Sequence, residues 1–498
     1  MTSTPRRKRV RVTRRASGWH RDSSNTDATQ PARTISQASL NRMVEPYLPP
    51  PRASDGVGQA LTGCPDSDGD LEETARIARD LIRFDTSNYG SSRANGEREA
   101  AEYVEAYLSG LGLTPRLFEP DARRTSLTVR VPGRNRTKPA LVVHGHLDVV
   151  PAEASEWSVD PFAGTIQDGM LWGRGAVDMK DMDAMILAAL RDILSTGAQP
   201  ERDLIVAFFA DEEAGGVLGS HWLVDNHPEV FAGATEAISE VGGYSITIDG
   251  KRAYLLQTGE KGLLWLRLRS RGAAAHGSRH IRDNAITALA EAVVRLGRME
   301  WPVRLTATTR ELLAGVAKIV GVDPHERSPD ELARATGTAA GFVTPTLRTT
   351  SNPTVLQAGY KHNVIPARAE ALIDVRTLPG EDESVLAQIR ALVGEQIEVT
   401  VVHRDVSLEN PRHGALVDAV TASLGRHDPG APILPYLMSG GTDNKALSEL
   451  GIAGYGFAPL LLPADFDFPA MFHGIDERVP LDALTFGRKV LGDLLRTY

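Results

Sequence analysis

The stretch LVVHGHLDVVP at residues 141–151 decides how this sequence is interpreted. Residues 140–143 form a short apolar run between Pro139 and the polar residues HGHLD, a pattern typical of a buried strand. The end of a strand is where a rigid sheet can direct a polar side chain into a cleft. His146 and Asp148 stand at this end, so we expect both to belong to a functional site.

A second buried strand is predicted in LIVAFFADEEAGG at residues 204–216, where the apolar run ends at an acidic triplet. The triplet contains Glu212 and Glu213, whose side chains diverge because the two residues are adjacent. Three further candidates occur in motifs elsewhere in the chain: Asp178 in GRGAVDMKD, Glu240 in ISEVGG and His473 in FHGIDERV.

Imidazoles and carboxylates gathered at strand ends are the ligands of a site for one or two zinc-like ions, so metal-assisted hydrolysis is the leading interpretation. Hydrolysis of an amide requires an activated water, a polarised carbonyl and a proton for the leaving amine. A bound zinc ion lowers the pKa of its water to about 7 and acts as a Lewis acid. A carboxylate that is not a ligand must then move the proton.

Each candidate has a predicted part in such a site. His146 is a natural imidazole ligand, and Asp148 is predicted to orient it by accepting its other ring proton. Asp178 is the candidate for a carboxylate shared by two ions. Of Glu212 and Glu213, one can bind metal while the other reaches the water. Two residues complete the ligand sets: Glu240 and His473.

Composition restricts the class of protein. A chain of 498 residues is too long for one simple core, so two domains plus extra segments are expected. A formal net charge of −9 gives no general attraction to nucleic acid or to anionic membrane, and no apolar run is long enough to span a bilayer. Cys64 is the only cysteine, which excludes an intramolecular disulfide and a thiolate zinc site and favours a cytoplasmic location.

Residues 1–69 differ in composition from the rest and are predicted to form a disordered basic N-terminal tail. The segment RRKRVRVTRR at residues 6–15 carries seven basic residues and no acid. An export signal is a minor interpretation, because no apolar segment follows the twin arginines. A nucleic-acid-binding arm and a chain start at Met43 are two further minor interpretations of this segment.

From about residue 70 helical patterns alternate with apolar strands, which predicts a three-layer α/β/α catalytic domain with a largely parallel sheet. After Gly262 the predicted order becomes strand–helix–strand–strand–helix–strand, that of a ferredoxin-like α+β unit. Residues 300–350 are Thr-rich and are expected to be irregular. The simplest account is a catalytic domain at residues 70–261 and 406–498, into which a smaller domain at residues 262–405 is inserted.

The strings HGHLDVVP, GRGAVDMKD, FFADEEAGG, AHGS and SGGTDN resemble those of the zinc-dependent aminoacylase and carboxypeptidase family. That family includes acetylornithine deacetylase and succinyl-diaminopimelate desuccinylase, and the resemblance runs from about residue 70 to the C-terminus. It implies two zinc ions. The chemistry of His, Asp and Glu ligands also allows cobalt or manganese. The implied ligand sets are His146, Asp178 and Glu240 for one ion and Asp178, Glu213 and His473 for the other. It also implies that Glu212 is the general base, that Asp148 supports His146, and that a cis peptide bond follows Asp178.

The inserted domain resembles the lid and dimerisation domain of the family, so a homodimer through the lid is implied. His276 in AAAHGS resembles the lid histidine that stabilises the oxyanion, often from the partner subunit. Asn363 in HNVIP and Arg376 in IDVR match lid positions that contact the substrate. The planar fork of Arg376 suits a substrate carboxylate, and Gly441 in SGGTDN can offer a backbone N–H to the same group. By contrast, His144 is assigned a structural role, opposite the metal-binding histidine on its strand.

Two activities fit these metal residues equally well: an N-acyl amino-acid deacylase and a metallo-exopeptidase, either carboxypeptidase or dipeptidase. Both cleave an amide beside a free carboxylate, and the deacylase is the preferred interpretation. A dipeptidase usually needs an acid that meets a free ammonium, and the sequence identifies none. A catalytically inactive binding protein on the same fold is a remote third hypothesis. The expected partner is a small-molecule substrate, with no role for nucleic acid or membrane.

Overall fold

The computed structural model describes residues 71–90 and 93–498, so the predictions for the N-terminal tail lie outside the described residues. The described α-helices are α1 (Glu73–Ile82), α2 (Arg98–Gly110), α3 (Lys180–Leu194), α4 (Ser220–Asn226), α5 (Ala285–Gly297), α6 (Ala307–Val320), α7 (Pro329–Arg334), α8 (Ala340–Val343), α9 (Asp382–Val393), α10 (Ala415–His427), α11 (Asn444–Ser448) and α12 (Leu481–Thr497). None of the helices in these ranges has the length and apolar character required to cross a bilayer.

The described strands are β1 (Arg116–Asp121), β2 (Arg124–Val131), β3 (Ala140–His146), β4 (Thr165–Gln167), β5 (Met170–Trp172), β6 (Leu204–Phe209), β7 (Ala234–Ser239), β8 (Ser245–Ile248), β9 (Lys251–Glu260), β10 (Gly262–Arg271), β11 (Ala275–His276), β12 (Thr350–Ala358), β13 (Val364–Ile365), β14 (Arg368–Thr377), β15 (Ile397–Asp405), β16 (Leu408–Glu409), β17 (Ile433–Met438), β18 (Ala453–Gly456) and β19 (Arg478–Pro480). The buried strands predicted at residues 140–143 and 204–210 are therefore confirmed as β3 and β6.

The larger sheet has ten strands, and its main path runs β1-β2-β6-β3-β7-β18-β9-β16. The central strands β6, β3, β7 and β18 run parallel to one another, while β1, β2, β8 and β16 pair antiparallel. The sheet is thus mixed, with the predicted parallel arrangement in its centre. Parallel strands need cover on both faces, which explains why every residue of β3 and β6 is buried.

Helices cover both faces of this sheet. Alternate residues of a strand point to opposite faces, and Leu141 and Val143 pack in one core together with the apolar residues of α3. Ala140 and Val142 pack in a second core, which includes Leu223 of α4. The prediction of an α/β fold built on a large sheet is confirmed.

A second sheet contains four antiparallel strands in the order β12-β14-β10-β15. Its elements follow one another as strand, helix, strand, strand, helix, strand, through α5 and α9. Leu264, Leu266 and Leu268 of β10 face the two helices and form a separate core with them. The alternate residues Leu263 and Trp265 lie on the opposite face, which borders the cleft described below.

The expectation that residues 300–350 are irregular was wrong, because this segment contains α6, α7 and α8. Helix α6 begins after Thr306, whose hydroxyl accepts the N–H of Thr309, and ends at Gly321, which adopts a positive φ of 85°. Its apolar residues, including Leu312 and Val316, join the core of the larger sheet. The helical spacing was present in the sequence, but the run of threonines at the start of the helix obscured it.

Candidate active site

The candidate metal residues lie at one edge of the larger sheet. His146 ends β3, the acidic pair Glu212 and Glu213 follows β6, and Glu240 follows β7. Because β6, β3 and β7 are parallel neighbours, their carboxyl ends meet at the same edge, where ligands of α/β sheets bind. Three segments that are distant in sequence therefore present polar side chains to one cleft.

Asp178 lies between the two histidines. Its Oδ1 is 3.1 Å from Nε2 of His146, and its Oδ2 is 3.2 Å from Nε2 of His473. Nε2 of His473 is also 3.2 Å from Oε2 of Glu213. The Asp178–Met179 peptide bond is cis, as the family resemblance implied.

The remaining two acids face His146. Its Nε2 is 3.7 Å from Oε1 of Glu240 and 3.9 Å from Oε2 of Glu212. Donor atoms of His146, Asp178 and Glu213 lie within 4.8 Å of one another, as do those of His146, Glu212 and Glu240. The first group mixes members of the two implied ligand sets, and the second joins two members of one set to Glu212, the implied general base.

The charges in this cluster shift the pKa values of its members. Burial alone would lower the pKa of His146, but the negative charges of Glu240 and Asp178 raise it well above its usual range. Burial would raise the pKa of Asp178, but hydrogen bonds with the two imidazoles lower it. Burial raises the pKa of Glu240 to about 8, against the opposing charge of His146. A cluster of four acids that is largely removed from water favours the binding of positive charge.

The structure corrects the predicted contact between Asp148 and His146. The ring Nδ1 of His146 donates its proton to the backbone carbonyl of Asp148 at 2.9 Å, whereas the Asp148 carboxylate lies 3.7 Å away. That carboxylate instead accepts the backbone N–H groups of Glu212 at 3.1 Å and Glu213 at 3.2 Å. Asp148 thus fixes the acidic pair through its side chain and the imidazole through its backbone.

His144 takes no part in the cluster. Its Nε2 lies 3.0 Å from Oδ1 of Asn444, its ring packs against Phe209, and burial lowers its pKa to about 4. The structural role predicted for it is confirmed. The predicted orientation was wrong, since residues two apart on a strand share one face, so His144 and His146 are on the same side.

Two of the predicted substrate contacts line the cleft: Arg376 and Gly441. The guanidinium of Arg376 already donates to Asp374 through Nε at 2.8 Å and Nη2 at 3.1 Å. Asp374 therefore occupies the guanidinium edge formed by Nε and Nη2, and the edge that contains Nη1 remains for a ligand.

The other two predicted lid residues, His276 and Asn363, lie away from the cleft in the single chain. Both are exposed and lie at the two-stranded ladder of β11 and β13, where the N–H of Gly277 donates to the Asn363 carbonyl at 2.9 Å. The His276 ring bonds only its neighbour Ser278 among the described residues. Neither His276 nor Asn363 borders the cleft.

The cleft has a volume of about 350 Å³ and combines the metal cluster with an apolar wall. The apolar wall includes six residues from separate parts of the chain: Val241, Leu263, Phe342, Pro345, Met438 and Phe472. Phe342 packs edge-on against Phe472, with ring centroids 5.3 Å apart. The segment that was expected to be irregular therefore supplies part of this wall and contacts the residue before His473.

The buried polar residues behind the site that the sequence analysis missed include Asn88, Arg124 and Glu477. Glu477 stands four residues after His473 in FHGIDERV, and this short fixed spacing was a usable signal. Asn88 and Arg124 lie in segments without a recognisable motif. Their proximity to the site arises only from folding.

A model of the peptidase family M20/M25/M40 matches residues 142–497. The chain belongs to this peptidase family. The resemblance inferred from the motifs is confirmed, and the chain is assigned to a family of hydrolases.

Individual relatives cover most of the chain. A succinyl-diaminopimelate desuccinylase from Rhodospirillum centenum is 30% identical over 420 residues, which is 81% of this chain and 91% of the relative. Human aminoacylase-1 is 28% identical over 429 residues, or 83% of this chain and 92% of the relative. An M20 family metallo-carboxypeptidase from Sulfolobus solfataricus has the same fold, with a TM-score of 0.67 at 20% identity over 86% of this chain and 99% of that chain.

Proposed function

We propose that this member of the M20 family is a metal-dependent hydrolase that cleaves an amide bond beside a free carboxylate, with N-acyl amino acids as substrates. The observation that carries the proposal is the position of Asp178. Its two carboxylate oxygens face different imidazoles, at 3.1 and 3.2 Å. A carboxylate flanked in this way suits a position shared by two cations.

The side chains of the cluster fit a metal. Oε1 of Glu213 is buried without a hydrogen-bond partner among the described residues, as expected of an oxygen that binds a cation. Imidazole and carboxylate ligands suit zinc and also accept cobalt or manganese. The proposed sets for two zinc ions are His146, Asp178 and Glu240, and Asp178, Glu213 and His473. When bound, the ions would supply Lewis acidity for the attacking water and the scissile carbonyl.

Glu212 is the proposed general base. Burial raises the pKa of its carboxyl well above the usual range, against the opposing charge of His146. A carboxylate with a raised pKa is suited both to take a proton from water and to deliver it to the leaving amine. Asp148 holds the backbone of Glu212, which keeps this carboxylate beside the cluster.

The carboxylate of the substrate is proposed to bind at Arg376 and the backbone of Gly441. The Nη1 edge of Arg376 provides two further donors, since Asp374 uses only Nε and Nη2. The salt bridge to Asp374 also fixes the plane of the guanidinium before the substrate arrives, which reduces the entropy lost on binding.

The rest of the cleft favours an acyl group over a peptide with a free ammonium. Only two of the acids lining the cleft lie outside the cluster, Asp405 and Asp443. Asp405 lies 3.3 Å from Nζ of Lys445, so its charge is matched, and Asp443 is buried. Among the described residues of this lining, an ammonium would meet one acid that is already paired and one that is only 5% exposed, whereas an acyl chain would contact the apolar wall. Human aminoacylase-1, one of the relatives, is named for this chemistry.

A substrate panel tests the choice of activity. Purified protein would be assayed with N-acetyl and N-octanoyl amino acids, the corresponding C-terminal amides, and dipeptides. We expect turnover of the N-acyl acids, little turnover of the amides, and slow turnover of the dipeptides. Turnover of dipeptides alone would establish an exopeptidase. Bound metal below one equivalent, with no activity after addition of zinc or cobalt, would establish the inactive binding protein.

We further propose that residues 262–405 form a lid domain inserted between the catalytic segments 70–261 and 406–498, and that the protein forms a homodimer through the lid. His276 and Asn363 are exposed in one chain, so a partner subunit would bring them to the cleft.

Mixing the inactive variants His276→Ala and Glu212→Gln tests this arrangement. A mixed dimer would regain activity, because one of its clefts has both residues. No regain in a confirmed mixed dimer would contradict the trans arrangement. A cytoplasmic location remains a prediction.

A further inference from the structure

A buried network of polar side chains lies behind the acidic pair Glu212 and Glu213. We call it the Arg124 network, and its members are Asn88, Glu97, Arg124, Asp148 and Asp211. All five are buried. They come from separate parts of the chain, and five polar contacts join them to one another.

Arg124 is the centre of this network and has only 3% of its surface exposed. Its Nη1 donates to Oε1 of Glu97 at 2.5 Å. Its Nη2 donates to Oδ1 of Asn88 at 2.7 Å and lies 3.1 Å from Oδ1 of Asp211. A guanidinium suits this position because its planar fork addresses several acceptors in fixed directions.

Asn88 links Arg124 to Asp148 and Asp211 through hydrogen bonds. Because its Oδ1 accepts from Arg124, its Nδ2 must point the other way. Nδ2 donates to Oδ2 of Asp148 at 2.8 Å and to Oδ1 of Asp211 at 3.2 Å. Arg124 therefore determines which side of the Asn88 amide meets the two carboxylates.

The carboxylates of Asp148 and Asp211 stabilise the turn that carries the acidic pair. Asp211 adopts a positive φ of 67°, an unusual conformation for a residue with a side chain, and its Oδ2 accepts the N–H of Leu218 at 2.9 Å. Asp148 accepts the N–H groups of Glu212 and Glu213. The direction of each glutamate thus depends on contacts that lead back to Arg124.

We propose that Arg124 and Asn88 are positioning residues that fix which glutamate of the pair faces the proton-transfer position and which faces the cation near His473. Neither residue borders the cleft, so both act through Asp148 and Asp211. The inference rests on the proposed function, because it assigns different tasks to Glu212 and Glu213. The cation proposed for His146, Asp178 and Glu240 has no ligand in the acidic pair, so we expect the network variants to bind this first cation normally.

The test uses Arg124→Gln and Asn88→Ala in the full-length protein, with Arg130→Gln as the matched control. Arg130 lies on the same strand, β2, and pairs with Asp203 at 2.9 Å at the surface. We expect both network variants to lose about 10- to 100-fold in kcat with KM within a factor of about two, the scale of effects from residues behind a metal site. Arg130→Gln should keep wild-type values.

A second readout is independent of activity. Metal-stripped protein is titrated with Co²⁺ and followed by absorbance. We expect wild type and Arg130→Gln to bind two equivalents, while the network variants bind the first normally and the second about 10- to 100-fold more weakly. The double variant Arg124→Gln/Asn88→Ala should lose no more kcat than the worse single variant, since residues in one network are not additive.

Three outcomes would overturn the inference. One is wild-type kcat and Co²⁺ binding in both network variants. Another is equal weakening of both Co²⁺ equivalents together with a lowered Tm, which would indicate only a structural role. The third is a double variant whose losses add. If wild type itself binds no Co²⁺ and hydrolyses no substrate, the proposed function fails instead, so the two failures are distinguishable.

Discussion

The carboxylate of Glu477 accepts the backbone N–H of Asp178 at 3.2 Å, although the two residues are 299 positions apart in sequence. Its two oxygens also accept the N–H groups of Val177 at 2.7 Å and Gly175 at 3.1 Å, and the guanidinium of Arg174 at 2.6 Å. Glu477 follows the second histidine of the cluster by four residues. This one buried side chain therefore ties the segment of that histidine to the segment of the shared carboxylate.

Glu477→Gln should destabilise the protein and loosen this link. The amide nitrogen of glutamine would face an N–H donor, and Arg174 would lose its buried counter-charge. Loss of one partner of a buried ion pair costs about 3–5 kcal/mol. We expect a lower free energy of unfolding in urea, measured on metal-stripped protein. Glu383→Gln is the control, because it breaks a surface pair with Arg404 and should change stability little. Equal effects of both variants would contradict the role given to Glu477.

Glu212→Gln should separate proton transfer from metal binding. Glutamine has nearly the same shape but cannot accept the proton, so kcat should fall by about 10²- to 10⁴-fold while the metal content stays at the wild-type value. Metal content is measured by elemental analysis. The neighbouring variant Glu213→Gln should instead lose part of the bound metal. The reverse pattern would show that the two glutamates exchange roles.

Arg376→Ala should weaken the binding of substrates with a free carboxylate. A charge-assisted hydrogen bond contributes about 1.5–3 kcal/mol, so KM for an N-acyl amino acid should rise by roughly 10- to 100-fold. The corresponding C-terminal amide, already a poor substrate, should be affected much less. Arg269→Ala is the control, since Arg269 pairs with Glu370 on the same sheet and does not border the cleft. An equal loss for acid and amide would count against the carboxylate contact.

Phe342→Ala should reduce the preference for long acyl chains. Removing the ring opens the apolar wall beside Phe472, and a hydrophobic contact of this size changes selectivity by about 1–3 kcal/mol. We expect the ratio of kcat/KM for N-octanoyl over N-acetyl substrates to fall by about 10-fold, with partial recovery in Phe342→Leu. Parallel losses for both substrates would place the acyl chain elsewhere.

Removal of metal should destabilise the fold and abolish activity. A ligand that binds only the folded state contributes about 2.7 kcal/mol when present at 100 times its Kd. Dialysis against a chelator should therefore lower the Tm by several degrees, measured by calorimetry, and zinc, cobalt or manganese should restore both stability and turnover. An unchanged Tm and full activity after verified metal removal would exclude the metal-dependent mechanism.

The strands that carry the site were predictable because their signal is local. Short apolar runs at residues 140–143 and 204–210 predicted β3 and β6, and parallel neighbours in an α/β sheet bring their ends together. The motifs also pointed to all six members of the cluster, which are Asp178 and the five side chains His146, Glu212, Glu213, Glu240 and His473. The prediction for residues 300–350 failed because α6 starts in a threonine-rich run, and packing against the larger sheet stabilises the helix.

Contacts between distant segments were not predictable in this way. Nothing in the sequence shows that the Asp148 carboxylate accepts the backbone N–H groups of Glu212 and Glu213 and not the ring N–H of His146. The choice depends on where the turn after β6 lies. The partner of Arg376, Asp374, is two residues away, yet only the strand geometry places both side chains on one face.

The sequence by itself determined the family, the strands that carry the site and the chemical types of the side chains there, since these depend on local pattern and on motifs. Three features were decided by the tertiary structure alone. They are which carboxylate oxygen faces which imidazole, which arginine and lysine side chains are already paired, and which buried residues position Glu212 and Glu213. Hydrogen bonds act over about 3 Å, and only the folded chain brings side chains from segments hundreds of residues apart within that distance.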